Sequence, residues 1–335
     1  MASFMEEIFA KAKANPKKIV LQEGDDERTV EAAVESVKKG IAKIVLIGDP
    51  GFITKTIKEK KGDPDKLEII DKNNYPKLEE YASEYFEMRK HKGITKEEAV
   101  EKIKDPLWYG AMMVRKNEVD AFVAGAVYST AEVCRASIQV VGLKEGIKTL
   151  SSFFVMIVQD KSFGKNGVLF YADCGVVIDP DDKQLADIAV AAAESYEMLM
   201  GEKPKVAMLS CSTKGSASHP RIEKVLNALK IVKEKAPGIM IDGELQGDAA
   251  LIESVGQKKA PDSKVAGKAN VLVFPDLDSG NIAYKLTERL ANAEAYGPIL
   301  QGTVKPCCDL SRGCKASDIM NVTAINVVRF QFLEK

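Results

Sequence analysis

The stretch KIVLQEGDDERTVEAAVESVKKGIAKIVLIG, residues 18–48, decides the fold class. A strand pattern at Lys18–Leu21 is followed by a helical pattern at Asp26–Lys39 and by a second strand pattern at Lys43–Gly48. Strand and helix patterns alternate in this way along the rest of the chain. The strands are continuously apolar, which predicts an α/β fold with a parallel sheet covered by helices on both faces.

Other elements of the first half are predicted from their local signals. The pattern predicts a helix at Phe4–Ala14, a helix that begins at Pro76, and a strand at Ala121–Ala126. Thr95 followed by Glu98 predicts a capping box at the start of a further helix.

The length predicts two domains. A chain of 335 residues exceeds what one hydrophobic core usually covers. Longer and more continuously apolar segments begin after Gly142, so we place a domain boundary near residue 144.

Composition limits the classes of partner. The 48 basic and 49 acidic residues nearly cancel, so no overall field draws the protein to nucleic acid or to an anionic membrane. No apolar run approaches eighteen residues, and the first residues read as an acidic amphipathic helix rather than a targeting segment. The six cysteines show no CxxC spacing. We therefore expect reduced thiols and a cytoplasmic location.

Three polar loops follow predicted strands, where open α/β sheets bind ligands. In Gly125–Thr130 the hydroxyls suit helix capping and anion binding equally. For Ser210–Ser218 we favour anion binding over an ordinary polar loop. For Asp276–Asn281 we favour helix capping by Asp278 or Ser279 over a divalent-metal site. Such a site would combine Asp276 and Asp278 with Asp242, Glu244 and Asp248.

A fourth loop, Gln301–Cys314, places Ser311 and Arg312 shortly before Asp318. Eight of the 48 basic residues are arginines, whose planar fork suits phosphate and carboxylate, so each arginine is more informative than a lysine. This concentration of a hydroxyl, a guanidinium and a carboxylate makes the loop a candidate site.

Histidine and cysteine give little support for nucleophilic catalysis by the protein. The chain has two histidines, and His219 beside Pro220 at a predicted helix start suits a structural role, so a Ser/His/Asp or Cys/His triad is not expected. Cys307 and Cys308 have no obvious base nearby, and we interpret them as buried structural thiols.

Several segments together show a family resemblance that would be weak in any one of them. They are Arg89–Gly93, Val123–Glu132, Leu150–Phe154, Leu209–Ala217, Asp242–Gln246, Pro275–Asn281 and Asp309–Cys314. Together, and in this order over essentially the whole chain, they resemble the phosphate acetyltransferases, or phosphotransacetylases. The last segment is similar to the most recognisable signature of that family.

The resemblance implies two α/β domains with a cleft between them, a fold like that of isocitrate and isopropylmalate dehydrogenases. Domain one then comprises residues 1–144 plus 304–335, and domain two residues 145–303. The active site is expected in the interdomain cleft, and the protein is expected to form a homodimer.

The resemblance also implies an acyltransferase of acetate metabolism. It transfers an acetyl group reversibly between acetyl-CoA and inorganic phosphate, giving acetyl phosphate and CoA. Coenzyme A is then a substrate, no cofactor or metal is bound, and no nucleic acid or membrane is a partner. Asp318 is the implied general base for the CoA thiol, with Ser311 and Arg312 stabilising the transition state.

Further residues are expected to bind substrate or CoA. Arg89 and Arg135 match the CoA-binding arginines of the family, and Arg289 matches an arginine close to the substrate. The strand-end loops add hydroxyl, ammonium and backbone groups: Ser129, Thr130, Ser212, Thr213, Lys214 and Gly215.

Three alternatives stay open. Cys211 and Gly247 stand where bulkier aromatic residues are expected, so a phosphate butyryltransferase-type activity on a longer acyl chain is the second candidate. A dehydrogenase is less favoured because no glycine-rich dinucleotide fingerprint is present. An inactive CoA-binding protein is disfavoured by the joint presence of Ser311, Arg312 and Asp318.

Overall fold

The computed structural model describes residues 2–334; Met1 and Lys335, the outer ends of the predicted first domain, lie outside the described residues. Strands and helices alternate along the described chain. The strands are β1 Lys17–Leu21, β2 Ala42–Gly48, β3 Glu68–Asp71, β4 Ala121–Val123, β5 Ser151–Ile157, β6 Val168–Ala172, β7 Lys205–Leu209, β8 Met240–Leu245, β9 Val271–Val273, β10 Glu294–Gln301 and β11 Cys307–Cys308. The α-helices are α1 Phe4–Ala14, α2 Glu27–Lys38, α3 Pro50–Glu59, α4 Leu78–Arg89, α5 Lys96–Ile103, α6 Pro106–Arg115, α7 Thr130–Ala136, α8 Asp182–Met200, α9 Pro220–Lys235, α10 Gly247–Leu251, α11 Glu253–Lys259, α12 Leu277–Leu290 and α13 Ala316–Leu333.

The chain divides into two compact units, and the first runs to Gly142 and resumes at Thr303. Its strands follow the order β3-β2-β1-β4-β11, and each neighbouring pair is parallel. Helix α13 packs against α1, α2, β1 and β4. It is held there by buried apolar residues and by Asn326, whose amide donates to the Phe122 carbonyl at 3.3 Å.

The second unit, Leu143–Gly302, has the strand order β10-β5-β6-β9-β7-β8. Here the prediction of a parallel sheet is wrong in part, because β5 pairs antiparallel with both β6 and β10. The link between β5 and β6 spans residues 158–167. That is shorter than the crossover of a dozen or more residues that parallel neighbours need. The remaining pairs of this unit are parallel.

The local helix signals predict some helices of the first unit and leave others out. Helix α1 has the predicted bounds, and Thr95 with Glu98 forms the predicted capping box of α5. Helices α3 and α6 were missed, although each begins with an aspartate cap followed by proline. The helix predicted from Pro76 begins at Leu78 instead, and its N-cap, Lys77, makes no side-chain capping bond.

The predictions about membrane spans and domain boundaries have different outcomes. Among residues 2–334 no helix is both long enough and apolar enough to span a membrane. The sequence-based domain boundaries are 144 and 304, and the cleft expected between two domains stays a prediction.

Candidate active site

Strand β4 ends earlier than predicted because the following backbone turns towards a buried carboxylate. The N–H groups of Gly125, Ala126, Val127 and Tyr128 all donate to Glu23, at 2.8–3.1 Å. Glu23 is 7% exposed and lies just after β1. We call residues 125–128 the strand-end turn. Its N–H groups form an anion cradle that the chain fills with its own side chain.

Glycine at position 125 is required by a close approach. Its φ is +108°, in the region that disfavours other residues. A Cβ there would lie 2.3 Å from Asp309 Oδ1 and 2.5 Å from the Leu310 nitrogen. The strand-end turn therefore packs directly against the start of segment 309–314, the signature loop.

Asp309 is the buried anchor of the signature loop. Its Oδ2 accepts a hydrogen bond of 2.6 Å from the Thr130 hydroxyl, at the first residue of α7. Its Oδ1 is buried without a hydrogen-bond partner among residues 2–334. Burial raises the pKa of Asp309 to about 6, and the neighbouring charge of Glu23 adds to the shift. The Thr130 hydroxyl is thus used to join α7 to the loop.

The predicted catalytic groups lie on the exposed part of the same segment. Ser311 and Arg312 are exposed, and within residues 2–334 no ion pair of the Arg312 guanidinium is present. The Ser311 hydroxyl oxygen accepts from the Gly313 N–H at 3.3 Å. Asp318 is exposed in the first turn of α13, where its Oδ2 accepts from the Lys315 N–H at 2.8 Å. The catalytic role of Asp318 stays a prediction.

Arg28, which was given no role from the sequence, holds the main chain around these groups. Its guanidinium donates to the carbonyls of Arg312 and Cys314 at 2.8 and 3.0 Å, and to the carbonyl of Ala126 at 2.9 Å. It also binds both carboxylate oxygens of Asp26. The small number of arginines was the only sequence signal that could have drawn attention to it.

The two predicted CoA-binding arginines of this unit lie at helix ends. Arg89 is the last residue of α4, close to the Tyr85 hydroxyl, which donates to Gln139 at 3.0 Å. Burial raises the pKa of Tyr85, and the charge of Arg89 opposes that shift. Arg135 is exposed in the last turn of α7. CoA binding by Arg89 and Arg135 stays a prediction.

Ser129 serves as a helix cap in this structure. Its hydroxyl donates to Glu132 at 2.7 Å, and the two residues form the capping box of α7. That hydroxyl, as a donor, holds the pKa of Glu132 below its usual range. Substrate binding by Ser129 stays a prediction.

The polar loop of the second unit folds around another carboxylate. Glu244 Oε1 accepts from the Ser212 hydroxyl and from the Gly215 N–H, both at 2.8 Å. Thr213 bonds with Gln246, and the Lys214 ammonium lies 2.5 Å from Asp242. The loop does form an anion cradle, but it is filled internally. Substrate contacts by Ser212, Thr213, Lys214 and Gly215 stay predictions.

The acidic loop does cap the start of α12, but the prediction of Asp278 or Ser279 as the capping residue is wrong. Asp276, not Asp278 or Ser279, is the N-cap, and it accepts from the Ser279 N–H at 2.8 Å. Among residues 2–334 no group of three or more His, Cys, Asp or Glu side chains is arranged to hold a metal. Arg289 lies near the end of the same helix with its side chain 81% exposed, and its substrate role stays a prediction.

Asp173, which the sequence did not single out, fills a third backbone cradle. Its carboxylate accepts from the N–H groups of Gly175, Val176 and Val177 and from the Ser152 hydroxyl. Burial raises the pKa of Asp173. These contacts hold the backbone that follows β6 against the Asp173 side chain.

The thiols and His219 behave as the sequence predicts. Cys307 and Cys308 are fully buried, and burial raises the pKa of Cys307 to about 12, so its reactive thiolate is disfavoured. His219 is the N-cap of α9, with its Nδ1 accepting from the Arg221 N–H.

Comparison with known proteins agrees with the signature segments. The family described as phosphate acetyl/butaryl transferase matches residues 3–327. The phosphate acetyltransferase of Acetivibrio thermocellus is 54% identical over 334 residues, covering 99% of each chain. The phosphotransacetylase from Streptococcus pyogenes is 38% identical, with a TM-score of 0.93 and 100% of both chains covered. A 4-hydroxythreonine-4-phosphate dehydrogenase from Klebsiella pneumoniae, 12% identical with a TM-score of 0.51 over 94% of this chain and 98% of that chain, shares the fold, in agreement with the predicted dehydrogenase-like architecture. The chain belongs to the phosphate acetyl/butaryl transferase family of acyltransferases.

Proposed function

We propose that the protein transfers an acetyl group reversibly between acetyl-CoA and inorganic phosphate, giving acetyl phosphate and CoA. The observation that carries this proposal is the 54% identity, over 334 residues, to a protein named phosphate acetyltransferase. The exposed Ser311, Arg312 and Asp318 in the first unit supply the residue types that the chemistry needs.

In the direction that makes acetyl-CoA, the CoA thiol is the nucleophile. Asp318 takes the thiol proton, because a thiolate attacks far better than a thiol. The sulfur then attacks the carbonyl carbon of acetyl phosphate, the carbon–sulfur bond forms, and the carbon–oxygen bond to phosphate breaks. Phosphate leaves with the bonding electron pair.

Negative charge develops on the carbonyl oxygen during this attack. The Ser311 hydroxyl and the Arg312 guanidinium are donors suited to that charge, and they stabilise the transition state more than the ground state. Arg312 also suits a two-pronged contact with the phosphate group. Ser311 acts as a donor and not as a nucleophile, because the substrate brings its own sulfur.

The chemistry needs no bound cofactor or metal, since the base, the nucleophile and the leaving group come from the protein and its two substrates. The absence of a bound cofactor, the homodimer and the cytoplasmic location stay predictions. The phosphates of CoA are assigned to Arg89 and Arg135, and Arg289 to the neighbourhood of the substrate.

The direct test compares acyl phosphates as substrates. We expect acetyl phosphate to give thioester with CoA at a kcat/KM at least about tenfold above that of butyryl phosphate. Thioester formation is followed by ultraviolet absorbance with each acyl phosphate in turn. A preference for butyryl phosphate of that size would move the assignment to a longer acyl chain, and no turnover with either would refute acyl transfer.

The role of Arg135 is tested by truncation. We expect Arg135→Ala to raise the KM for CoA by roughly tenfold or more, because a charge-assisted contact to a phosphate is lost. The substitution removes an exposed side chain, so thermal stability is expected to stay unchanged. Arg221→Ala, at an exposed position of α9, is the matched control. An unchanged KM for CoA in Arg135→Ala would show that the assignment is wrong.

A further inference from the structure

Arg28 uses all of its hydrogen-bonding capacity inside the first unit. A guanidinium has five N–H donors. Here Nε and one Nη2 donor bind Asp26, at 3.0 and 2.7 Å, and the other Nη2 donor binds the Ala126 carbonyl at 2.9 Å. The two Nη1 donors bind the carbonyls of Arg312 and Cys314 at 2.8 and 3.0 Å. No donor is left for a substrate phosphate.

These contacts link three pieces of main chain. Two of the carbonyls flank Gly313 in the signature loop, beside the residues that carry the predicted oxyanion donors. The third belongs to the strand-end turn, whose N–H groups are held by Glu23 from the other side. The strand-end turn is thus held at its N–H groups by the Glu23 carboxylate and at the Ala126 carbonyl by the Arg28 guanidinium.

The carboxylate that binds Arg28 is itself held by a helix end. Asp26 is the N-cap of α2 and accepts from the Arg28 N–H at 2.9 Å, so side chain and backbone are tied to one helix end. Burial opposes the charge of Asp26, but its bonds to Arg28 hold the pKa of Asp26 below the usual range. The same pair raises the pKa of Arg28. Both groups therefore stay charged at neutral pH.

We infer that Arg28 is a positioning residue for acyl transfer: it fixes the main chain of the signature loop so that Ser311 and Arg312 face the reacting carbonyl. This inference rests on the proposed function. Arg28 does not touch the substrate; it acts through the carbonyls that it binds.

Lysine cannot replace arginine in this role. An ammonium concentrates three donors on one atom, whereas Arg28 spreads five donors over a planar fork that reaches a carboxylate and three carbonyls. Arg28→Lys keeps the charge but releases part of the loop. A shift of about 1 Å in the catalytic groups costs about 10²-fold in rate.

Arg115 provides a matched control in the same unit. Its side chain is 37% exposed, against 33% for Arg28, and it too binds a carboxylate, Glu84 at 2.8 Å, and a backbone carbonyl, Val140 at 3.1 Å. Arg115→Lys therefore measures the general cost of losing an internal arginine fork away from the signature loop.

The experiment measures kcat with acetyl phosphate and CoA, the Kd for CoA by calorimetry, and thermal unfolding for wild type, Arg28→Lys and Arg115→Lys. We expect kcat of Arg28→Lys to fall about 10- to 100-fold below that of Arg115→Lys, with the Kd for CoA within about threefold of wild type. A kcat equal to that of Arg115→Lys would overturn the inference. So would a folded Arg28→Lys protein that loses CoA affinity as strongly as kcat.

A second variant decides the case if Arg28→Lys does not fold. Asp26→Asn keeps a good helix cap but removes the carboxylate that orients the guanidinium. We expect a fall in kcat with an unchanged Kd for CoA, and a wild-type kcat would overturn the inference. A wild-type protein that makes no acetyl-CoA from acetyl phosphate would instead refute the proposed function. An active wild type with an unaffected Arg28→Lys counts against the inference alone.

Discussion

Asp318→Asn is expected to lower kcat by about 10²-fold or more, because the amide cannot accept the proton of the CoA thiol. The change is nearly isosteric. The amide oxygen can still accept from the Lys315 N–H, so the first turn of α13 is expected to stay folded. The loss should therefore be one of chemistry, measured as kcat at saturating CoA and acetyl phosphate.

The pH dependence of turnover distinguishes loss of the general base from general damage to the active site. A free thiol has a pKa of about 8.5, so raising the pH towards that value supplies thiolate without a base. The ratio of wild-type turnover to Asp318→Asn turnover is expected to fall towards one as the pH rises. Asp182→Asn, in the first turn of α8, controls for losing an acidic residue at a helix start. Near-wild-type turnover of Asp318→Asn at neutral pH would remove Asp318 from the role of base.

Arg312→Gln is expected to lower kcat by about 10²- to 10³-fold, the usual cost of removing a donor to a developing oxyanion. The KM for phosphate should rise as well, because the two-pronged contact is lost. The folded state should change little. The exposed guanidinium makes no ion pair among residues 2–334, and the backbone carbonyl that binds Arg28 remains in the variant.

Steady-state kinetics in both directions test this, with phosphate and acetyl phosphate varied separately. Arg312→Lys keeps the charge without the planar fork, and we expect it to fall between wild type and Arg312→Gln. Arg221→Gln is the control at an exposed arginine of the second unit. Unchanged kcat and KM for phosphate in Arg312→Gln would contradict both of its proposed roles.

The elements most predictable from the sequence were those whose signals are local. The bounds of α1 and the capping box at Thr95 follow from residues within one turn of each other. The same local logic, applied to the aspartate before Pro50 and before Pro106, would have found α3 and α6. The antiparallel pairing of β5 is not predicted, because a continuously apolar strand sequence does not indicate whether its neighbour runs parallel or antiparallel.

The polar loops show why the sequence does not predict the geometry of the candidate site. A hydroxyl-rich loop with glycine predicts an anion cradle, and the Ser212–Gly215 loop does form one. Its anion is Glu244, which lies 32 residues after Ser212 and 29 residues after Gly215 in the sequence. Glu23 fills the strand-end turn in the same way from a different strand. Neither loop sequence indicates which carboxylate accepts the hydrogen bonds of that loop.

The fold class, the family and the residue types of the candidate site follow from the sequence: Ser311, Arg312 and Asp318 lie in one continuous segment, so no folding is needed to associate them. The contacts that hold that segment in place become visible in the folded structure. Arg28 holds it through hydrogen bonds to the Arg312 and Cys314 carbonyls, Glu23 holds the backbone of the strand-end turn, and Asp309 accepts from the Thr130 hydroxyl. The partner of a backbone carbonyl or N–H cannot be read from the sequence, because almost every residue carries the same two groups.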